Sequence, residues 1–204
     1  LAIRFPKHPL TIKLLKNIKY PLAAPSANIS SKISPVSKDD VKDEFGKKIK
    51  FILDGGRSKI GLESTIVNLI KKPTILRLGG IEISKIKKIL KNNFIFDNKN
   101  KKIKMPGQNK THYSPGIPIR LNVKLPKEKE AFILIKKRNL TSKHYFYLTK
   151  SNNLKEAGKN LYKTLRKIKK KKYKSISVEK IPNIGLGLTI NDRLKRASKK
   201  WPSK

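Results

Sequence analysis

Cysteine is absent from the 204 residues, which excludes disulfides, thiol chemistry and cysteine-based metal sites. The three histidines, His8, His112 and His144, stand far apart and share no metal-ligand spacing. Only 13 residues are Asp or Glu, and they form no visible carboxylate cage for a cation. Aromatic residues make up 7% of the chain, with a single Trp. No apolar run approaches the roughly 20 residues that span a bilayer, and no signal peptide is legible. These absences read as a soluble cytoplasmic protein.

Basic residues are abundant. Lys and Arg number 51, for a formal net charge of +38. A charge of that size suggests a polyanionic partner. Its type argues otherwise, because only eight of the basic residues are Arg: Arg4, Arg57, Arg77, Arg120, Arg138, Arg166, Arg193 and Arg196. The lysines come with many Asn and Ile, run through every segment, and peak at "RKIKKKKYK" over 166–174. Readout of phosphates and bases leans on Arg forks more than on scattered Lys. The excess therefore reads first as compositional bias, with a dedicated nucleic-acid surface as the rival reading.

The chain opens on Leu1 and runs directly into "LAIRFP", which reads as the end of a buried strand in a fragment whose N-terminal part is missing. "HPLTIKLLKN" (8–17) has helical spacing, "PLAAP" reads as a short strand, and Ser37 with Asp40 starts a helix over 38–46 that Gly46 closes. "KFILDGG", "ESTIVNLI" and "PTILRLGG" read as strands, and "SKIKKILK" (84–91) as a short amphipathic helix. A polar tract rich in Asn, Lys, Gly and Pro then fills 97–118 and marks a domain boundary. Beyond it, "IPIRLNV", "AFILIK", "HYFYLT" and "SISVEKI" read as strands. They alternate with a helix that places Leu154, Ala157, Leu161, Leu165 and Ile168 on one face and with a closing helix, "TINDRLKRASKKW". This alternation predicts a small α/β domain with a partly parallel sheet.

Four segments carry candidate chemistry. "PSAN" (25–28) can point a hydroxyl and an amide the same way, although taken alone it is better explained as a turn satisfying its own backbone. "DGGRSKIGLEST" (54–65) has glycines that allow close backbone approach to a ligand and ends in Ser64 and Thr65, but it is not a P-loop. In "ILRLGG" (75–80), Arg77 sits in an apolar strand, where its charge requires either a structural carboxylate or an anionic ligand. "PGQNKTHYSPG" (106–116) holds His112 and Tyr113, a pair that can stack on a base or pin a linker in place.

Taken in order, "RFPKHPL", "PLAAPSANISSKISP", "ILDGG", "GLESTIV", "ILRLGG", "PGQNKTHYSPGIP" and the tail "IGLGLTINDRLKRASKK" resemble the threonylcarbamoyl-AMP synthase family of the YrdC-like superfamily, in its long two-domain form. The resemblance implies the C-terminal portion of a twisted α/β catalytic domain over 1–96, a linker over the active site at 97–118, and a small Rossmann-like domain over 119–204. It implies synthesis of L-threonylcarbamoyl-adenylate from L-threonine, bicarbonate and ATP with Mg²⁺, with release of pyrophosphate. The product would pass to proteins that modify adenosine 37 of tRNA. The alternative is a basic, YrdC-like RNA-binding module without synthase activity.

The resemblance also implies roles for residues. Arg4, Ser26, Ser64 and Thr65 would contact threonine. Asn28, Ser34, Arg77, His112 and Tyr113 would contact ATP. No side chain is assigned as a catalytic acid, base or nucleophile, and none as a metal ligand. Two positions depart from the family pattern: Ser31 stands where Gly is usual, and Val36 where Thr is usual. The missing N-terminal part implies that residues 1–204 alone have little synthase activity.

Overall fold

The computed structural model describes residues 3–70, 72–91, 93–96, 111–139 and 142–199. The chain divides into two compact units, one of residues 1–29 and 34–58, the other of residues 30–33 and 59–204.

The first unit holds two helices. In α1 (Pro9–Lys16), Pro9 supplies a preset φ at a position whose N–H would have no intrahelical acceptor. His8, just before it, bonds through Nε2 to Gly55 O at 3.0 Å. The α2 helix (Lys38–Phe45) starts as the sequence predicts: Ser37 Oγ accepts from Asp40 N at 3.3 Å, and Asp40 Oδ2 accepts from Val36 N at 2.9 Å. Gly46, at φ +53°, ends the helix. The "ILDGG" turn forms, with Gly56 N donating to Asp54 Oδ1 at 3.0 Å.

Three strand expectations fail here. The described residues of 1–5, of "PLAAP" and of "KFILDGG" are not in strands. A strand exists only with a ladder partner, and no such partner lies among the described residues of this unit. Phe5, Phe51 and Leu53 are accordingly exposed, at 89%, 90% and 66%. Val36, where the resemblance implies Thr, is buried.

The second unit contains two sheets. The smaller has the order β1–β2–β3: β1 (Ile66–Asn68) runs antiparallel to β2 (Thr74–Arg77), and β3 (Ile95–Phe96) parallel to it. Ile66 faces Arg77, and a register shift follows between Ile66 and Val67. The α3 helix (Ile83–Leu90) buries Ile86. The larger sheet is wholly parallel, in the order β4–β7–β5–β6, from β4 (Ile119–Arg120), β5 (Ala131–Lys136), β6 (Tyr145–Thr149) and β7 (Ile176–Val178). The continuous apolar run of β5 is buried, as expected of a central parallel strand.

The α4 helix (Leu154–Lys170) starts at Asn153, whose Oδ1 accepts from Lys155 N and Glu156 N. Ala157, Leu161, Leu165 and Ile168 on its inner face are at most 1% exposed. The closing helix, α5 (Gly187–Ala197), starts two residues earlier than predicted, and its predicted last residues, 200 and 201, lie outside the described ones. The predicted strand over 117–123 contracts to Ile119–Arg120, where Arg120 pairs with the buried Glu130. Of the linker over 97–118, residues 97–110 lie outside the described residues.

Residues 30–33 join this unit through hydrogen bonds. Ser114 N donates to Ser31 O at 3.0 Å, and Arg166 Nη2 donates to Ile33 O at 2.6 Å. Ser31 adopts φ +66°, a left-handed conformation that suits the glycine implied there by the resemblance.

Candidate functional site

The nine candidate residues fall in both units. Arg4, Ser26, Asn28 and Ser34 belong to the first, where Arg4 and Ser26 are exposed and Asn28 and Ser34 half-buried. The "PSAN" turn is tied by Asn28 N donating to Ser26 O at 2.9 Å and by Asn28 Nδ2 donating to Ile29 O at 2.9 Å.

The second unit brings Ser64, Thr65, Arg77, His112 and Tyr113 around one hub. Arg77 reaches from the end of β2 to the segment that leads into β1, donating through Nε and Nη2 to Ser64 O at 3.1 and 2.9 Å. Thr65 Oγ1 accepts from Ile81 N at 3.2 Å. Between these bonds the two segments touch backbone to backbone. A Cβ built on Gly79 would stand 2.2 Å from Thr65 N and 2.4 Å from Glu63 O, and Gly80 N donates to Glu63 O at 2.9 Å. Gly79 therefore has a packing reason of its own.

The hub is Arg193 of α5, 1% exposed. Its Nε donates to Glu63 Oε2 at 2.8 Å, its Nη1 to Asp192 Oδ2 at 2.5 Å and its Nη2 to Leu78 O at 2.5 Å. Tyr162 of α4 donates its hydroxyl to the same Glu63 carboxylate, at 2.9 and 3.0 Å. Burial alone works against the Arg193 charge, but the oxygens of Tyr162 and Glu63 beside it prevail and raise its pKa above the ordinary guanidinium value. Burial, with the Glu63 charge adding, pushes the Tyr162 hydroxyl well above the usual phenol range.

Tyr113 closes the hub. Its ring lies 4.8 Å from the Arg193 guanidinium carbon and 5.9 Å from the Tyr162 ring, stacked. The residue is 1% exposed, the backbone takes φ +64°, and the hydroxyl is buried with no hydrogen-bond partner among the described residues. His112 is half-buried, with its ring centre 4.0 Å from that of Tyr113 and its backbone N–H donating to Arg196 O at 3.4 Å. Burial lowers the His112 pKa; Glu63 opposes this, while Arg193, Arg196 and Arg77 reinforce it. The imidazole is therefore neutral at neutral pH.

Glu63, Tyr162 and Arg193 were not singled out from the sequence. For Arg193 a signal was there: it follows Ile190 by three residues and precedes Leu194 and Ala197, so a cation sits on the apolar face of its helix. Glu63 was visible only as the residue before Ser64.

Known proteins place this arrangement. Residues 1–79 match the family model described as telomere recombination, and residues 81–199 match that of the threonylcarbamoyl-AMP synthase C-terminal domain. Threonylcarbamoyl-AMP synthase of Pyrococcus abyssi is 32% identical over 218 residues, which cover 97% of this chain and 64% of the relative. That of Bacillus subtilis is 31% identical, covering 97% of this chain and 63% of the relative. The crystal structure of P. abyssi Sua5 complexed with L-threonine superimposes with a TM-score of 0.82 at 32% identity, covering 96% of this chain and 63% of that one. A variant of that protein with an adjacent His and Tyr both replaced by Ala gives 0.81. The chain is thus an α/β protein of the YrdC-like class, continued by a C-terminal α/β domain. It belongs to the threonylcarbamoyl-AMP synthase family. It spans a little under two thirds of the length of these relatives.

Proposed function

We propose that the protein forms L-threonylcarbamoyl-adenylate from L-threonine, bicarbonate and ATP. The threonine amine attacks bicarbonate and water leaves, giving a carbamate. The carbamate oxygen then attacks the α-phosphorus of ATP and pyrophosphate leaves, with Mg²⁺ arriving as part of the nucleotide substrate. Neither step needs a side-chain nucleophile, so positioning and charge neutralisation supply the catalysis. Arg4, Ser26, Ser64 and Thr65 hold threonine; Asn28, Ser34, Arg77, His112 and Tyr113 hold ATP, Tyr113 through the His112 ring packed on it. The product goes to tRNA-modifying proteins, and the reaction takes place in the cytoplasm. Among the described residues no helix is long and apolar enough to cross a membrane.

In this reading residues 1–96 belong to the catalytic domain, 97–118 to a linker over the active site, and 119–204 to the C-terminal domain. The half-buried His112 meets the nucleotide, and Tyr113 anchors it from beneath. The P. abyssi variant replaces an adjacent His and Tyr, the same two residue types as the His112–Tyr113 pair, which supports this reading. RNA binding follows from lysine charge alone and is nonspecific.

The observation that carries the reading is the seating of Arg77 on the Ser64 carbonyl, which holds a cation and two hydroxyl residues in one place. The test is Arg77→Ala in the protein expressed from its native gene. ATP binding is lost while RNA affinity keeps its value and its steep salt dependence. Unchanged ATP binding in the folded variant contradicts the proposal.

A further inference from the structure

The two segments that carry Ser64 and Arg77 are both gripped by one buried side chain from a helix far along the sequence. Arg193 holds Glu63, the neighbour of Ser64, and the carbonyl of Leu78, the neighbour of Arg77. Thr189, one turn earlier on α5, adds a bond from its hydroxyl to Gly79 O at 3.0 Å. Arg77 then ties the two segments directly through Ser64 O. On its open face Arg193 carries Tyr113, and with it His112.

We propose that Arg193 is a positioning residue of the synthase site, fixing from α5 where Ser64, Thr65, Arg77 and His112 stand. The inference rests on the synthase reading above. Three physical points support it. A buried ion pair is a poor source of stability, since an apolar replacement of both partners is often neutral or better; what it supplies is direction. Nε, Nη1 and Nη2 of the guanidinium each engage a different residue, and this fixes its plane as a Lys ammonium cannot. Tyr113 is held against it in a left-handed backbone conformation, with a buried hydroxyl that has no hydrogen-bond partner among the described residues. Both features cost free energy, and such strain persists where the surroundings enforce it.

The experiment uses the protein expressed from its native gene. Arg193→Lys, which keeps the charge and loses the fork, is assayed for threonine- and ATP-dependent pyrophosphate release at a temperature where circular dichroism shows it folded. Misplacement of the reacting groups lowers kcat/KM about 100-fold, and hydrogen exchange quickens at residues 64–65 and 78–80. Glu63→Gln keeps an acceptor oxygen for Arg193 Nε and gives a smaller loss in the same direction. It reads the same linkage if Arg193→Lys does not fold. Wild-type kcat and KM in a folded Arg193→Lys, or in Glu63→Gln if that variant alone folds, overturn the role of Arg193 and leave the synthase reading standing. A folded wild-type protein without threonine-dependent turnover overturns both.

Discussion

Arg193 and Glu63 meet at 2.8 Å across 130 residues of sequence, the guanidinium fully buried and the carboxylate 16% exposed. Arg193→Met takes the guanidinium from a carboxylate inside the protein, and the expected cost is about 3–5 kcal/mol. The double variant Arg193→Met/Glu63→Gln recovers part of that loss. Denaturant unfolding of the two variants measures the difference.

Gly79 packs where no Cβ fits. Gly79→Ala drives a methyl group into the Thr65 backbone at 2.2 Å and is expected to destabilise by about 3 kcal/mol or more. Gly46→Ala is the control: its Cβ meets nothing, and its backbone, at φ +53° and ψ −129°, costs a residue with a Cβ about 1–3 kcal/mol. Thermal unfolding ranks the two.

His112 gives the stability a pH dependence of definite sign. Its folded pKa lies below the ordinary 6.5, so the unfolded chain takes up the proton first as pH falls. Stability therefore drops as pH falls from about 6.5 towards the folded pKa, then levels off. Glu63, Arg193, Arg196 and Arg77 are the charges that act on it. Urea midpoints between pH 5 and 8 show this slope in the wild type, and His112→Gln flattens it.

Leu161 sits at the centre of the α4 face and is fully buried. Leu161→Ala costs about 2–5 kcal/mol. Lys163→Ala, on the exposed side of the same helix, stays within about 0.5 kcal/mol of wild type. Chemical denaturation distinguishes them.

What could be read from the sequence was what is local. The apolar spacing of α4, the Ser37 cap of α2 and the apolar run of β5 each depend on residues within a few positions of one another. The strands expected around Phe5 and Phe51 failed because a strand is decided by its neighbour, which local pattern does not contain. The site divides in the same way. Ser64, Thr65 and Arg77 stood out by residue type, whereas Tyr162 and Arg193 acquire meaning only when α4 and α5 fold against Glu63. The φ of Ser31 shows why a glycine is expected there and leaves the serine unexplained.

The central claim is the reaction itself. Pyrophosphate release by the protein expressed from its native gene, supplied with L-threonine, bicarbonate and ATP, tests it most directly. The account predicts release that requires all three and yields threonylcarbamoyl-adenylate by mass spectrometry. Release that proceeds equally without threonine, or no adenylate from folded protein, contradicts it.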